Sequence, residues 1–133
     1  MIEILKPGVE KLEVLEKPTK ECWINLIYPT EEDLVKLKQY IDVPQEIIVS
    51  LKDLDEIPTI EKHNKFTLVI IRTPYNNLNN DLEYYTIPLG VFICRDYIVT
   101  ICYHENDVVN KLKSMRFEFK KSQFFLRILL TSA

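Results

Sequence analysis

The chain has 133 residues, of which 47% are hydrophobic and 28% charged, with a net charge of −3. That length suits one domain with a single sizeable core. The lack of a basic excess argues against nucleic-acid binding. No apolar run approaches the ~20 residues of a membrane span, and the Met1 end (IEILKPG) lacks the apolar centre of a signal peptide. Only two glycines occur, Gly8 and Gly90. The glycine-rich phosphate cradles and the GxSxG nucleophile turn each need at least two glycines at close spacing, so counting removes them.

Taken in chain order, Ile2 and Ile4 alternate with Glu3 and lead into Lys6-Pro7-Gly8, a strand followed by a turn. Val9 to Leu15 alternates again as a second strand. Cys22 to Tyr28 (CWINLIY) is aromatic and β-branched, a third. Pro29-Thr30 opens a helix. The Thr30 hydroxyl can accept from a free first-turn amide, and Glu31, Glu32 and Asp33 sit where the helix dipole favours negative charge. Leu34, Leu37 and Ile41 form its apolar stripe. A second short helix is expected from about Asp42-Val43-Pro44, with Ile47, Ile48 and Leu51 buried, followed by the polar link Lys52 to Glu56.

From Pro58 the period changes to two. Thr59-Ile60-Glu61 reads as a strand, His63-Asn64-Lys65 as a turn, and Phe66 to Thr73 as a strand apolar on both faces, hence interior. Asn76 to Asp81 is a loop tip. Tyr84 to Cys94 and Tyr97 to Tyr103 form a hairpin about Arg95-Asp96. Glu105 to Lys113 carries Val108, Val109 and Leu112 at helical spacing, and a last helix is expected from Ser122. The pattern implies an α+β or mixed α/β sandwich on a mixed sheet of six or seven strands. The chain stays apolar from Phe124 to Ala133 with no stop signal, as in a chain cut inside or just after a helix.

Candidate chemistry is sparse. His63 lies in a turn and His104 at a strand end, where solvated or capping roles are favoured over catalysis. Cys22, Cys94 and Cys102 are odd in number and sit in strands, which fits reduced thiols. A two-residue turn at Arg95-Asp96 sets Cys94 opposite Tyr97 and Cys102 opposite Leu89, more than ~10 Å apart, too far for a disulfide or one zinc ion. Asp53, Asp55 and Glu56 offer oxygen ligands suited to Mg²⁺ or Ca²⁺, but without the glycine and final Glu of an EF-hand loop, and a solvated acidic link is the simpler reading. No enzyme signature is present.

The ordered set of segments is more telling. Cys22-Trp23-Ile24-Asn25-Leu26, then Pro29-Thr30-Glu31-Glu32-Asp33-Leu34, then Leu54-Asp55-Glu56-Ile57-Pro58-Thr59-Ile60-Glu61, and later Thr86-Ile87-Pro88-Leu89-Gly90-Val91 and Asp96 to Ile101 resemble the N-terminal cytosolic domain of CorA-type magnesium and cobalt transporters over residues 2 to 130. The resemblance implies an α/β/α sandwich with a mixed, mostly antiparallel sheet of about seven strands. It further implies a regulatory domain, residues 1–133, of a Mg²⁺/Co²⁺ channel at the cytoplasmic face of the membrane. The expected assembly is a homopentamer whose stalk and transmembrane helices lie outside this chain. In the family Mg²⁺ binds between subunits and holds the channel closed.

Two positions depart from the family pattern: Thr59 stands where an arginine is usual, and Ser50 aligns with the sensing carboxylate. Asp53 and Asp55 are the candidate metal residues in its place, acting between subunits. No firmly bound cofactor is expected; Mg²⁺ or Co²⁺ belongs to the full-length assembly. The alternative is a soluble interaction or ligand-binding domain unrelated to transport.

Overall fold

The computed structural model describes residues 1–7, 12–76, 84–104 and 107–114. Among these residues, seven strands and three helices follow in the order β1 (Ile2–Pro7), β2 (Leu12–Leu15), β3 (Cys22–Ile27), α1 (Glu31–Lys38), α2 (Gln45–Lys52), β4 (Thr59–Lys62), β5 (Phe66–Asn76), β6 (Tyr84–Cys94), β7 (Tyr97–Cys102) and α3 (Asp107–Ser114). The strands form one sheet in the order β2-β1-β3-β7-β6-β5-β4. Every neighbouring pair is antiparallel except β3 with β7, which runs parallel from Cys22↔Tyr97 to Ile27↔Cys102. The sheet is therefore mixed and mostly antiparallel, as the family resemblance implies.

The alternating side chains of the sheet fill two cores. On one face Ile24, Leu26, Leu68, Ile70, Phe92, Val99 and Ile101 pack with Leu37 of α1 and Ile47, Ile48 and Leu51 of α2. On the other, Trp23, Ile87, Leu89, Val91 and Ile98 pack with Val108, Val109 and Leu112 of α3. Helices thus cover both faces. β5 and β7 lie inside the sheet, which is why their successive residues are apolar on both sides.

α1 begins as expected. Thr30 Oγ1 accepts from Asp33 N at 3.1 Å, and Asp33 Oδ2 accepts from Thr30 N at 3.0 Å, a reciprocal capping box. Asp33 also receives the terminal ammonium of Met1 at 2.9 Å. Burial opposes its ionisation, but these donors outweigh that and hold its carboxyl below the usual range. The helix is shorter than its apolar stripe suggests. It ends at Lys38, and Ile41 is buried in the turn beyond, its N–H donating to Leu37 O at 3.0 Å.

β3 is bracketed by two left-handed residues, Glu21 (φ 61°) and Tyr28 (φ 46°). Each costs a non-glycine residue about 1–2 kcal/mol, held by hydrogen bonds to neighbours: Glu21 N to Asp96 O at 2.6 Å and Tyr28 N to Cys102 O at 3.0 Å. The second strand comprises Leu12–Leu15 of the expected Val9 to Leu15. β5 and β6 pair continuously from Phe66↔Cys94 to Asn76↔Tyr84, so Asn76 is in the strand and not the loop. The helix expected from Ser122 lies outside the described residues.

Candidate functional site

The candidate metal residues Asp53 and Asp55 fall at the end of α2, and the local chemistry explains the shape of their turn. Asp53 caps the helix, its N–H donating to Ser50 O at 3.1 Å. Its extended backbone stops helix propagation. Asp53 Oδ1 accepts from Asp55 N at 2.9 Å, and its carbonyl accepts from Glu56 N at 3.1 Å. An aspartate side chain folding back on the second following amide is a self-sufficient turn. One carboxylate oxygen of Asp53 is thus committed locally. Asp53 and Asp55 are both solvent-exposed, while Ser50 and Glu56 are half-buried.

Sequence reading misses what fastens this turn to the sheet. Arg72 of β5 donates from Nη1 to Glu56 O at 2.7 Å, from Nε to Thr86 Oγ1 at 2.7 Å and from Nη2 to Thr86 O at 2.7 Å. One guanidinium fork ties the acidic link to β5 and β6 together. The signal is the one charged residue in a strand that otherwise carries only apolar and uncharged polar side chains. Thr59, where an arginine was expected, sits in β4 opposite Ile70, so its own position gives no such clamp.

Around the turn, four large apolar side chains face solvent: Val49 at 57% exposure, Leu54 at 49%, Ile57 at 70% and Ile60 at 75%. They lie on α2, the link and the edge strand β4. Exposed apolar residues grouped in one segment mark an interaction surface more often than scattered ones do.

The histidines and cysteines are kept apart. His63 stacks on Phe66 (centroids 4.7 Å, 20°) and faces Glu61 at 3.2 Å. His104 meets Tyr28 edge-on at 6.0 Å, beyond the other end of β7. Cys22 and Cys94 belong to the core under α1 and α2, whereas Cys102 belongs to the core under α3. The sheet itself separates Cys94 from Cys102, a stronger reason than the spacing along the hairpin. All three cysteines are buried, and none forms a disulfide among the described residues. Among the described residues no three His, Cys, Asp or Glu side chains come together as a metal cluster. No described helix is long and apolar enough to cross a membrane.

Residues 19–130 match the model of the family described as CorA-like Mg²⁺ transporter protein. No curated protein matches the chain in sequence. Solved structures do match in fold. The complete CorA magnesium transporter of Methanocaldococcus jannaschii superposes with a TM-score of 0.78 at 21% identity, covering 99% of this chain and 44% of that one. The soluble domain of the same transporter gives 0.77 at 22% identity, covering 98% and 55%. The ZntB cytoplasmic domain of Vibrio parahaemolyticus RIMD 2210633 gives 0.73 at 11% identity, covering 98% and 56%. The chain therefore spans about half the length of the solved structures it matches.

Proposed function

This chain belongs to the CorA-like Mg²⁺ transporter family, and from that premise we propose that it is a cytosolic regulatory domain of a divalent-cation channel, sensing Mg²⁺ or Co²⁺ at the turn that carries Asp53 and Asp55. The family is one of transporters, not enzymes. The observation that supports the reading is the pinned acidic turn among exposed apolar side chains: Arg72 fixes Glu56 O, and Leu54 and Ile57 on either side face solvent.

Two exposed carboxylates, one of them partly committed to Asp55 N, leave most of an octahedral Mg²⁺ shell to water. Mg²⁺ sheds its waters reluctantly, so such a site is weak within one subunit. In a homopentamer a neighbouring subunit's stalk supplies further oxygens, and the apolar strip from Val49 to Ile60 supplies contact area. The ion then stabilises the packed state by mass action, because only that state presents all the ligands. Its loss leaves acidic groups facing one another and favours separation and opening. The domain sits at the cytoplasmic face of the membrane, and Ser50 shifts the sensing role one turn along α2.

The test uses the full-length channel in liposomes. Asp53→Asn with Asp55→Asn is expected to weaken inhibition by Mg²⁺ on the cytosolic side while sparing conduction. Unchanged inhibition in that double variant rejects these residues as the sensor.

A further inference from the structure

The sheet has two antiparallel parts, β2-β1-β3 and β7-β6-β5-β4, and the parallel pair β3–β7 is the seam between them. Side chains alternate with a period of two, so sliding one part past the other by two residues keeps every side chain on its own face. The apolar pairs of the seam tolerate such a slide. Ile24 and Leu26 face Val99 and Ile101 in the core under α1 and α2, and Trp23 faces Ile98 in the core under α3. Burial of apolar area is non-directional, so these pairs discriminate weakly between one alignment and the next. The backbone bonds at the two ends of the seam, Glu21 N to Asp96 O and Tyr28 N to Cys102 O, use groups that nearly every residue carries.

One pair differs. Asn25 faces Thr100 in the middle of the seam, and both side chains are fully buried. Thr100 Oγ1 donates to Asn25 Oδ1 at 2.8 Å and accepts from Trp23 Nε1 at 2.7 Å. A slide by two residues sets Asn25 against Ile98 or Cys102, and Thr100 against Ile27 or Trp23. The amide and the hydroxyl then lose each other inside an apolar core. Leaving a buried polar group unpaired costs more than a typical hydrogen bond contributes. Only the native alignment of the seam avoids that penalty for both residues.

The pair is not chosen for stability alone. Asn25 Nδ2 is buried without a partner among the described residues, a penalty that an apolar side chain at the same place does not carry. Buried polar residues that fix a register at some expense of stability do the same in other assemblies of strands and helices. We propose that Asn25 and Thr100 form a register lock at the seam, setting how the β2-β1-β3 part of the sheet aligns with the β7-β6-β5-β4 part. The lock is independent of the acidic turn and of the transporter reading.

Backbone NMR and urea unfolding of the 133-residue chain test it with Asn25→Leu combined with Thr100→Val, which keep the shapes and remove both polar groups. The parent and Thr100→Ser, which keeps both bonds, are expected to show one set of amide peaks along β3 and β7, with Ile24 paired to Val99. The double variant is expected to show a second set at about a tenth of the main intensity or more, with cross-strand contacts pairing Ile24 to Tyr97 or Ile101. It is also expected to unfold at a higher urea midpoint than Thr100→Val alone, because the added leucine removes the amide that the valine strands. A double variant with one set of peaks in the parent alignment, a second set in Thr100→Ser, or a midpoint no higher than that of Thr100→Val each overturns the proposal. A double variant that does not fold shows that the pair supplies stability and not register, and overturns it too.

Discussion

Gly90 sits in β6 between Ile70 of β5 and Ile101 of β7, beneath the last turn of α2. A Cβ there would stand 2.8 Å from Leu51 Cδ2, 2.9 Å from Leu51 Cδ1 and 3.3 Å from Phe92 Cε1. Carbon contacts are favourable at ~3.5–4.0 Å, so Gly90→Ala drives both methyls of Leu51 back by more than half an ångström. Leu51 is fully buried, and a rotamer change that clears one methyl meets the packed core. Overpacking of this kind costs about 1–3 kcal/mol. Reduced freedom of the unfolded chain returns about 0.4–1 kcal/mol.

The expected net loss is about 1–2 kcal/mol, which for a chain of this size lowers Tm by about 4–7 °C. Thermal and urea unfolding followed by circular dichroism measure it. Leu51→Ala alone costs about 2–5 kcal/mol by opening a cavity. In that background the new methyl has room, so Gly90→Ala should cost little or nothing, a coupling of about 1 kcal/mol. A Gly90→Ala variant as stable as the parent, or strictly additive effects in the double variant, refutes the claim that Gly90 exists to admit Leu51.

Thr100 Oγ1 accepts from Trp23 Nε1 at 2.7 Å and donates to Asn25 Oδ1 at 2.8 Å across the parallel β3–β7 pair, with Asn25 Nδ2 buried and without a partner among the described residues. Thr100→Val should cost about 2–3 kcal/mol in urea melts and Thr100→Ser much less, since only the serine keeps both bonds. Asp33 ionises more readily folded than unfolded, so its contribution is fully present above the unfolded value and lost as pH falls through the lowered folded one. Asp33→Asn is therefore expected to be less stable at pH 7, by about 0.5–1 kcal/mol, with the gap closing as pH falls below the ordinary carboxylate range in matched thermal scans. Burial raises the Cys22 thiol, and all three cysteines are buried thiols with no disulfide among the described residues. A colorimetric thiol assay should count three thiols in denaturant and react slowly in the native state, and stoichiometric zinc would contradict this.

Local chemistry was legible wherever it was self-contained. The capping box at Thr30 needs only a threonine and an acid three residues on, and both faces of β5 could be read as buried from the run Phe66 to Ile71 because an interior strand alone tolerates it. The ordered segments likewise pointed to the family that the chain matches over residues 19–130. The spacing of Ile41 fits a helix, but burial beyond the helix end satisfies the same apolar pattern. The arginine clamp on the acidic link was not legible, because Arg72 and Glu56 are brought together only when β5 pairs with β4 and β6. Periodicity and caps are properties of neighbours along the chain, and so the sequence determined the elements. Which charged groups converge depends on strand order and register, and those only the folded sheet decides.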